Sequence, residues 1–574
     1  MQRILDPATL RALETAGLGF LTLLEKIDAA TQVPPGTSWD RLKGAFAQDV
    51  EDVKKSDPRA GVGVARFAHR LFDLRWLDDP DVRFELTGVV LRLDRVAFQE
   101  DGCGEVRLIY RLRYEKQLGE ELLASRLPAT AGIEFFVPRD EEDPSCERAV
   151  RRWMPREDEL RGQRHWVSDA GPLSATRLRF GENDLRLVTN VQTVRWPSTV
   201  RPALGGHAEY ALRTFVPATG EGLRPAPLEN TPDVPRLLAN PELKRRFLEW
   251  LTDPATLEDI DWGTVLVPEE FLALRATSVT PRGLARRANR PFRSVLSPSD
   301  LAGVDWSERS FVRSPEAALR RLDQLSCQGC HQARSVAGFH FLGEDTEATP
   351  APNRVAVPVS MHTLEDDHRR RRVLAAALRG EPLPVEQPFA ERADPHANGY
   401  GAHCSLGTDP SYAHWTCAEG HTCAPYDEPV EEGIGICLPD APGRAGDPCE
   451  LGTMTTHRDP RRDTVSGRVE RACHSGAACN GNAVGFPGGM CAEPCIDEGT
   501  TRCGAIAVLD PFNACLARNE PFSHCLTTHV RPAGLRRCSA SSPCRDDYLC
   551  AGEEGGGVCV PPYFLFQMRV DGHP

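Results

Sequence analysis

No apolar run in this chain is long enough to cross a bilayer: the nearest, Gly19-Phe20-Leu21-Thr22-Leu23-Leu24, is interrupted within a few residues, whereas a spanning helix needs about 20. Positive charge is not in excess. Lys and Arg total 68 against 82 Asp and Glu, a net charge of -14, which argues against sequence-independent binding to a nucleic-acid backbone. Lysine is scarce at six residues, so the basic side chains are nearly all Arg, the balance expected from a GC-rich bacterial genome. The start, Met1-Gln2-Arg3-Ile4-Leu5-Asp6-Pro7, lacks the charged-then-apolar-then-small pattern of a secretory leader. A Gly-x-Ser-x-Gly elbow, His-Glu-x-x-His, a phosphate-cradling Gly-x-x-x-x-Gly-Lys and a dinucleotide fingerprint are also missing. The common hydrolase, metalloprotease and nucleotide-binding sites therefore have no support.

Cysteine is what the chain has in excess. Of its 20 cysteines, sixteen lie between Cys404 and Cys559, a density that belongs to an oxidising compartment. The expected address is extracytoplasmic: periplasm, cell surface or secreted. On that reading the missing leader means a start site placed too late or a leader already removed. At 574 residues with 40% hydrophobic content, the length predicts three or four globular domains.

The stretch with the most chemistry is Leu325-Ser326-Cys327-Gln328-Gly329-Cys330-His331-Gln332. Cys-x-x-Cys-His is the spacing at which haem is attached in c-type cytochromes. On a helix turning about 100° per residue, Cys327, Cys330 and His331 share one face, so two thioether links and a proximal imidazole can serve one porphyrin. Two other readings stand beside it. Cys327 and Cys330 could form a disulfide or redox dithiol with His331 a bystander, or the three could supply zinc ligands.

In chain order, residues 1–80 read as a helical region. Asp6 caps a helix with Pro7 at its first position, running through Leu10, Leu13, Phe20, Leu24 and Ile27 to Pro34-Pro35-Gly36, and Gly61 to Trp76 is a second candidate. Residues 81–230 read as an antiparallel-sheet α+β domain. Val106, Leu108, Tyr110, Leu112 and Tyr114 alternate with Arg107, Ile109, Arg111 and Arg113, predicting a half-buried strand with a basic outer face. Cys103 and Cys146, the two cysteines of this half, are expected to pair and staple the sheet to a helix. Residues 231–313 read as helices broken by prolines and packed on that domain.

Ser314-Pro315-Glu316 is a helix start feeding Cys327, and Thr363 opens a second helix through Val373, Leu374, Ala377 and Leu378. Met361 could present a thioether to the iron's other face, with His340, His362 and His368 as alternatives. The order helix, Cys-x-x-Cys-His, Met loop and closing helix means that 314–380 resembles a minimal cytochrome c core. Arg369-Arg370-Arg371-Arg372 on the closing helix is either a docking patch for an acidic redox partner or a solvated face.

Residues 381–403, with four prolines between Pro382 and Pro395, read as a linker. Beyond them, over 404–560, Cys404, Cys417, Cys423 and Cys437 form one set, Cys449, Cys473, Cys479 and Cys491 a second, and Cys538, Cys544, Cys550 and Cys559 a third. In each, five residues separate the second and third cysteines and a Gly stands two before the fourth (Gly435, Gly489, Gly557). The repetition predicts three related disulfide modules, with Cys495, Cys503, Cys515 and Cys525 an irregular fourth group and 561–574 a tail. The modules resemble the Dickkopf-like or EGF-like cysteine-rich repeats of secreted proteins, each allowing three connectivities. Zinc through His414, Cys417, His421 and Cys423 is an alternative.

Residues 80–345 also resemble a group of uncharacterised secreted bacterial proteins that share three features. These are a Leu-x-x-Val-Val-x-x-Leu-Asp strand (here Leu86 to Asp94), a Cys-Gly-Glu-x-Arg strand (Cys103 to Arg107) and a later Cys-x-Gly-Cys-His (Cys327 to His331). The first departs from the group's usual Asn-Arg-Leu-Asp, having Leu91-Arg92-Leu93-Asp94. The expected protein is thus multidomain: an α+β region with an antiparallel sheet, a cytochrome-c-like segment with one haem c, and disulfide-rich modules serving as anchor or recognition stalk for an extracellular ligand. Electron transfer with a redox partner is the expected activity, a peroxidase-like haem with an open sixth position its enzymatic variant. A haem-free extracellular binding or adhesion protein is the rival.

Overall fold

The computed structural model describes residues 3–56, 70–99, 101–139, 146–154, 165–169, 171–195, 208–280, 289–331, 361–389, 403–425 and 433–440, with single residues and short strand pieces elsewhere up to residue 560. The N-terminal apolar pattern becomes three helices, α1 (Pro7–Leu13), α2 (Phe20–Ala30) and α3 (Thr37–Ser56). Asp6 caps the first, its carboxylate accepting the Thr9 amide at 2.7 Å. The single helix expected there is broken at Gly17, whose φ of 97° only glycine adopts without strain. The expected helix over Gly61–Trp76 falls largely on residues outside those described, and its end is a 3-10 turn, Leu74–Leu77. Helix α3 was not foreseen, although Leu42, Phe46, Val50 and Val53, all buried, recur at helical spacing.

Nine strands, β1 (Arg3–Ile4), β2 (Arg70–Leu71), β3 (Val82–Arg92), β4 (Gly102–Leu118), β5 (Glu121–Pro138), β6 (Leu185–Arg195), β7 (Ala208–Ala218), β8 (Gly222–Ala226) and β9 (Arg275–Thr280), build one sheet. The order is β1-β3-β4-β5-β6-β7-β8, with β2 beside β6 and β9 beside β7, and the pairings among these described strands are antiparallel. One face carries Leu108, Tyr110, Ile133, Leu187 and Phe215 into a core closed by α1 to α3. Phe20 lies 5.2 Å from the Tyr110 ring, and the Tyr110 hydroxyl donates to the Leu18 carbonyl at 2.7 Å, so the sheet's longest inward side chain leaves no orphan polar atom.

The other face departs from expectation. Arg107, Arg111 and Arg113 of β4 are buried, not exposed to solvent. Period two establishes that they share a face but not what lies on it, and here acids on neighbouring strands neutralise two of them: Glu85 reaches Arg113 at 2.5 Å and Glu134 reaches Arg107 at 3.1 Å.

Cys103, at the start of β4, is bonded to Cys146, just ahead of α4 (Glu147–Arg152). Four helices with proline in the first turn come next, α5 (Val234–Ala239), α6 (Pro241–Leu251), α7 (Pro254–Trp262) and α8 (Pro291–Val295). They lead to α9 (Pro315–Leu325), whose cap Ser314 accepts the Ala317 amide at 3.0 Å, and then to α10 (Met361–Leu378).

The linker expected after α10 is instead packed over residues 381–389. Leu383 and Val385 join the apolar cluster around the Cys103–Cys146 bond, and the Gln387 amide donates to the Trp262 carbonyl at 2.8 Å. Arg321 of α9 donates to the carbonyls of Asp261, Gln387 and Pro388 at 2.8 to 3.0 Å and stacks on Phe389 at 4.3 Å. Proline fixes an extended backbone there, and an extended backbone still offers carbonyls to a buried guanidinium.

The first cysteine-rich module is a small sheet of β10 (His403–Ser405), β11 (His421–Pro425) and β12 (Ile434–Pro439) in the order β10-β12-β11. Its bonds are Cys404–Cys423 and Cys417–Cys437, first to third and second to fourth, one of the three pairings the sequence left open. The zinc alternative is overturned: the sulfurs of Cys404, Cys417 and Cys423 cluster within 4.8 Å because two disulfides are adjacent, and none is a thiolate. Cys404 stands opposite Gly435 and Cys423 opposite Cys437; in the third set Cys538 stands opposite Gly557 and Cys550 opposite Cys559, and in the second Cys479 faces Cys491. The irregular group of Cys495 to Cys525 lies outside the described residues.

The repeated glycine has a steric reason. A Cβ on Gly435 would lie 2.4 Å from the Ala424 carbonyl oxygen and 2.8 Å from Cys423 Sγ. Gly435→Ala should therefore expose free thiol in the purified protein, measured by thiol titration under denaturing conditions, whereas wild-type Cys404, Cys417, Cys423 and Cys437 titrate as fully oxidised. The module is docked on α9: Ser314 Oγ donates to Asp409 at 2.5 Å and the Arg313 amide donates to Ser411 Oγ at 2.8 Å.

Candidate functional site

Helix α9 is buried on nearly every side, from Ala317 to Gln324. A helix so enclosed must place its C-terminal end with little freedom, and the Cys-x-x-Cys-His stretch begins directly beyond that end. Ser326 Oγ donates to the Asp323 carbonyl at 2.7 Å, and the Gly329 amide donates to Ser326 Oγ at 2.9 Å. A 3-10 turn, Gln328–His331, then carries Cys330 and His331. Gly329 is required by space: a Cβ there would sit 1.9 Å from the Asp323 carbonyl oxygen. The glycine of Cys-x-Gly-Cys-His is thus set by the helix end beneath it.

Cys327 is half-buried, and its side chain packs against Leu212 of β7, Leu228 and Ala276 of β9. Its amide donates to the Glu229 carbonyl at 3.4 Å. The side chains of Cys330, His331, Met361, His362 and His368, and all of His340, lie outside the described residues.

The closing helix of the expected cytochrome-like segment packs elsewhere. Val373 and Ala377 of α10 join Cys103, Cys146 and Val150 in one apolar cluster, while α9 lies against α7 and α8. Among the described residues the contacts of α10 are thus with α4 and the 3-10 turn Leu93–Phe98 that follows β3. The arginine run is divided too: Arg369 and Arg370 are buried, Arg371 and Arg372 exposed, because the helix turns one side of the run toward Asp94, which Arg369 reaches at 2.6 Å.

Beneath the turn lies a buried ionic layer that sequence reasoning missed as a unit. Arg107 of β4, Glu134 of β5 and Arg186 of β6 are cross-strand partners, an alternating row across three strands. Glu105, two residues before Arg107 on the same face, pairs with it, and Arg186 reaches Glu134 at 3.3 Å. Glu229 closes the layer, its carboxylate accepting Arg95 at 2.5 Å and Arg186 at 3.0 Å. Beside it Arg92 and Asp94 pair at 2.9 Å.

Three motifs far apart in sequence meet here. The Leu86 to Asp94 strand brings Asp94 and leads into Arg95. Cys-Gly-Glu-x-Arg brings the disulfide, Glu105 and Arg107, with Gly104 at φ 77° where a Cβ would lie 2.1 Å from the Arg92 carbonyl oxygen. The Cys-x-Gly-Cys-His turn joins through the Glu229 main chain. Glu134 carried a signal, being the acid within the run Gly132-Ile133-Glu134-Phe135-Phe136-Val137; Glu229, in a loop, carried none.

Burial alone would raise the Glu229 carboxyl, but Arg95 and Arg186 outweigh it and hold the group well below the usual carboxylate range. Glu105 is lowered in the same way, Arg107, Arg95 and Arg186 overcoming its burial, and so is Asp94, by Arg92, Arg369 and Arg370. Glu134 goes the other way: burial outweighs the pull of Arg107, and the like charge of Glu105 adds to the rise. Carboxylates held ionised by guanidinium groups are poor proton donors, so Asp94, Glu105 and Glu229 compensate charge in this layer.

Fold and site define an antiparallel-sheet protein in which a Cys-x-x-Cys-His turn ends a buried helix and rests beside a charge-compensated layer. No family model, curated protein or solved structure matches the chain.

Proposed function

We propose that this is an extracytoplasmic c-type-cytochrome-like protein with one covalent haem, Cys327 and Cys330 forming the thioether links and His331 ligating the iron. The observation that carries the reading is the seating of the turn: the pentapeptide succeeds a helix end, and Cys327 is half-buried against Leu212, Leu228 and Ala276, an apolar wall suited to a porphyrin edge. Haem so held would supply a one-electron couple. The chain's own residues would hold and orient it, with Gly329 allowing the turn and Glu229 accepting the Cys327 amide. Met361 is the proposed sixth ligand. The oxidised pairs Cys103–Cys146, Cys404–Cys423 and Cys417–Cys437 support an oxidising address, where such attachment takes place.

A second reading draws on the docking of Asp409 and Ser411 against the start of α9: a haem-free, disulfide-stabilised extracellular binding protein in which the turn is structural. The chain made in a host with haem-ligation machinery should gain the mass of one haem, show a Soret band at about 410 nm and keep it through acid-acetone extraction. Cys327→Ala with Cys330→Ala should abolish all three. Wild-type protein of unmodified mass from that host would leave the second reading standing.

A further inference from the structure

We propose that Asp323 is a protonation switch: when it ionises, the seam between α8 and α9 loosens, and with it the seat of the Cys-x-x-Cys-His turn. The argument starts from position. Asp323 is on the last turn of α9 and fully buried. Its Oδ1 accepts the Phe292 amide at the start of α8 at 2.7 Å. Its main-chain oxygen accepts Ser326 Oγ at 2.7 Å and is the atom against which Gly329 is packed. One residue thus ties α8 to α9 through its side chain and holds the turn through its backbone.

The second carboxylate oxygen completes the device. Among the described residues Oδ2 is buried with no hydrogen-bond partner, a state that a neutral carboxyl tolerates and a carboxylate does not. The charges facing Asp323 from α8 and its approach are Arg293 and Arg290. On its own helix Arg320 is three residues earlier. Nearby acids are engaged elsewhere: Asp261 of α7 accepts the amides of Ser310, Phe311 and Val312, and Asp300 accepts that of Ser297.

Burial outweighs the charges of Arg293 and Arg290 and the amides of Phe292 and Arg293 and raises the Asp323 carboxyl to about 7. For a carboxyl raised above its unfolded value of about 3.9, the stabilising contribution is complete below that value and is lost as pH rises through about 7. The buried orphan oxygen then demands water or a cation, and the seam is where either would enter.

Hydrogen exchange of the full chain at pH 6 and pH 8, corrected for intrinsic rates, tests this whether or not haem is bound. Protection in peptides covering 289–296 and 323–329 should fall roughly tenfold between the two pH values, while that of β3 to β6 stays constant. Asp323→Asn should remove the difference, and Asp300→Asn should leave it as in the wild type. Equal protection of the wild-type segments at both pH values would overturn the proposal, whatever the variant's yield. So would an Asp323→Asn protein that keeps the wild-type pH response.

Discussion

Replacing Glu105 by Gln should lower the unfolding free energy by about 3–5 kcal/mol at pH 7, the cost typical of breaking a buried ion pair from one side. The reason is what remains. Arg95, Arg107 and Arg186 are matched in the native protein by Glu105, Glu134 and Glu229. The glutamine keeps the size and one acceptor but leaves three guanidinium groups facing two carboxylates in a water-poor layer. Denaturant unfolding monitored by tryptophan fluorescence measures the loss. Glu182→Gln, which breaks an exposed pair with Arg224, should cost at most about 1 kcal/mol and serves as the comparison.

The sign of the pH dependence is fixed by the same charges. Glu105 and Glu229 are lowered in the folded protein, so their contribution is complete above the unfolded value of about 4.3 and is lost as pH falls below it. The gap between wild type and Glu105→Gln should therefore be widest near neutrality and close in acid. A gap that stayed constant down to about pH 3 would mean that the glutamate acts by shape and not by charge.

Removing the Cys103–Cys146 bond by double replacement with Ala should cost about 4 kcal/mol, from the entropy returned to an unfolded chain no longer closed over a separation of 43 residues. The loss should be local before it is global. Both cysteines are buried with Val150 of α4 and Val373 and Ala377 of α10, so this bond braces the contact through which α10 reaches the sheet. Hydrogen exchange should show α4 and the described end of α10, 369–378, opening ahead of β4 to β6. Uniform loosening of all these elements would instead mean that the bond acts on the unfolded chain alone.

Much of the local structure was legible in residue order. The cap Asp6, the Ser314-Pro315 helix start, the alternation along β4 and the repeated cysteine spacing are short-range signals, and each depends on neighbours a few residues away. The candidate site was legible only in pieces. Asp94, Glu105, Arg107 and the Cys327 to His331 turn all belonged to motifs, yet the pattern that made Arg107 look like solvent-facing charge is equally that of a buried ionic row. Helix α10 was recognised as a helix, but the packing of Val373 and Ala377 on the disulfide cluster was not legible, because apolar residues at helical spacing do not specify the neighbour they meet.

By itself the sequence determined most of the element types, which residues of β4 share a face, and the repeated cysteine spacing of the modules. Only the tertiary structure decided that Glu229 links that turn to Arg95 and Arg186, that the prolines after α10 run against Arg321 instead of free in solvent, and which cysteine of the first module bonds to which. The physical reason is range: periodicity and capping are settled within a turn or two of chain, whereas charge compensation, burial and disulfide pairing depend on residues that folding alone brings together.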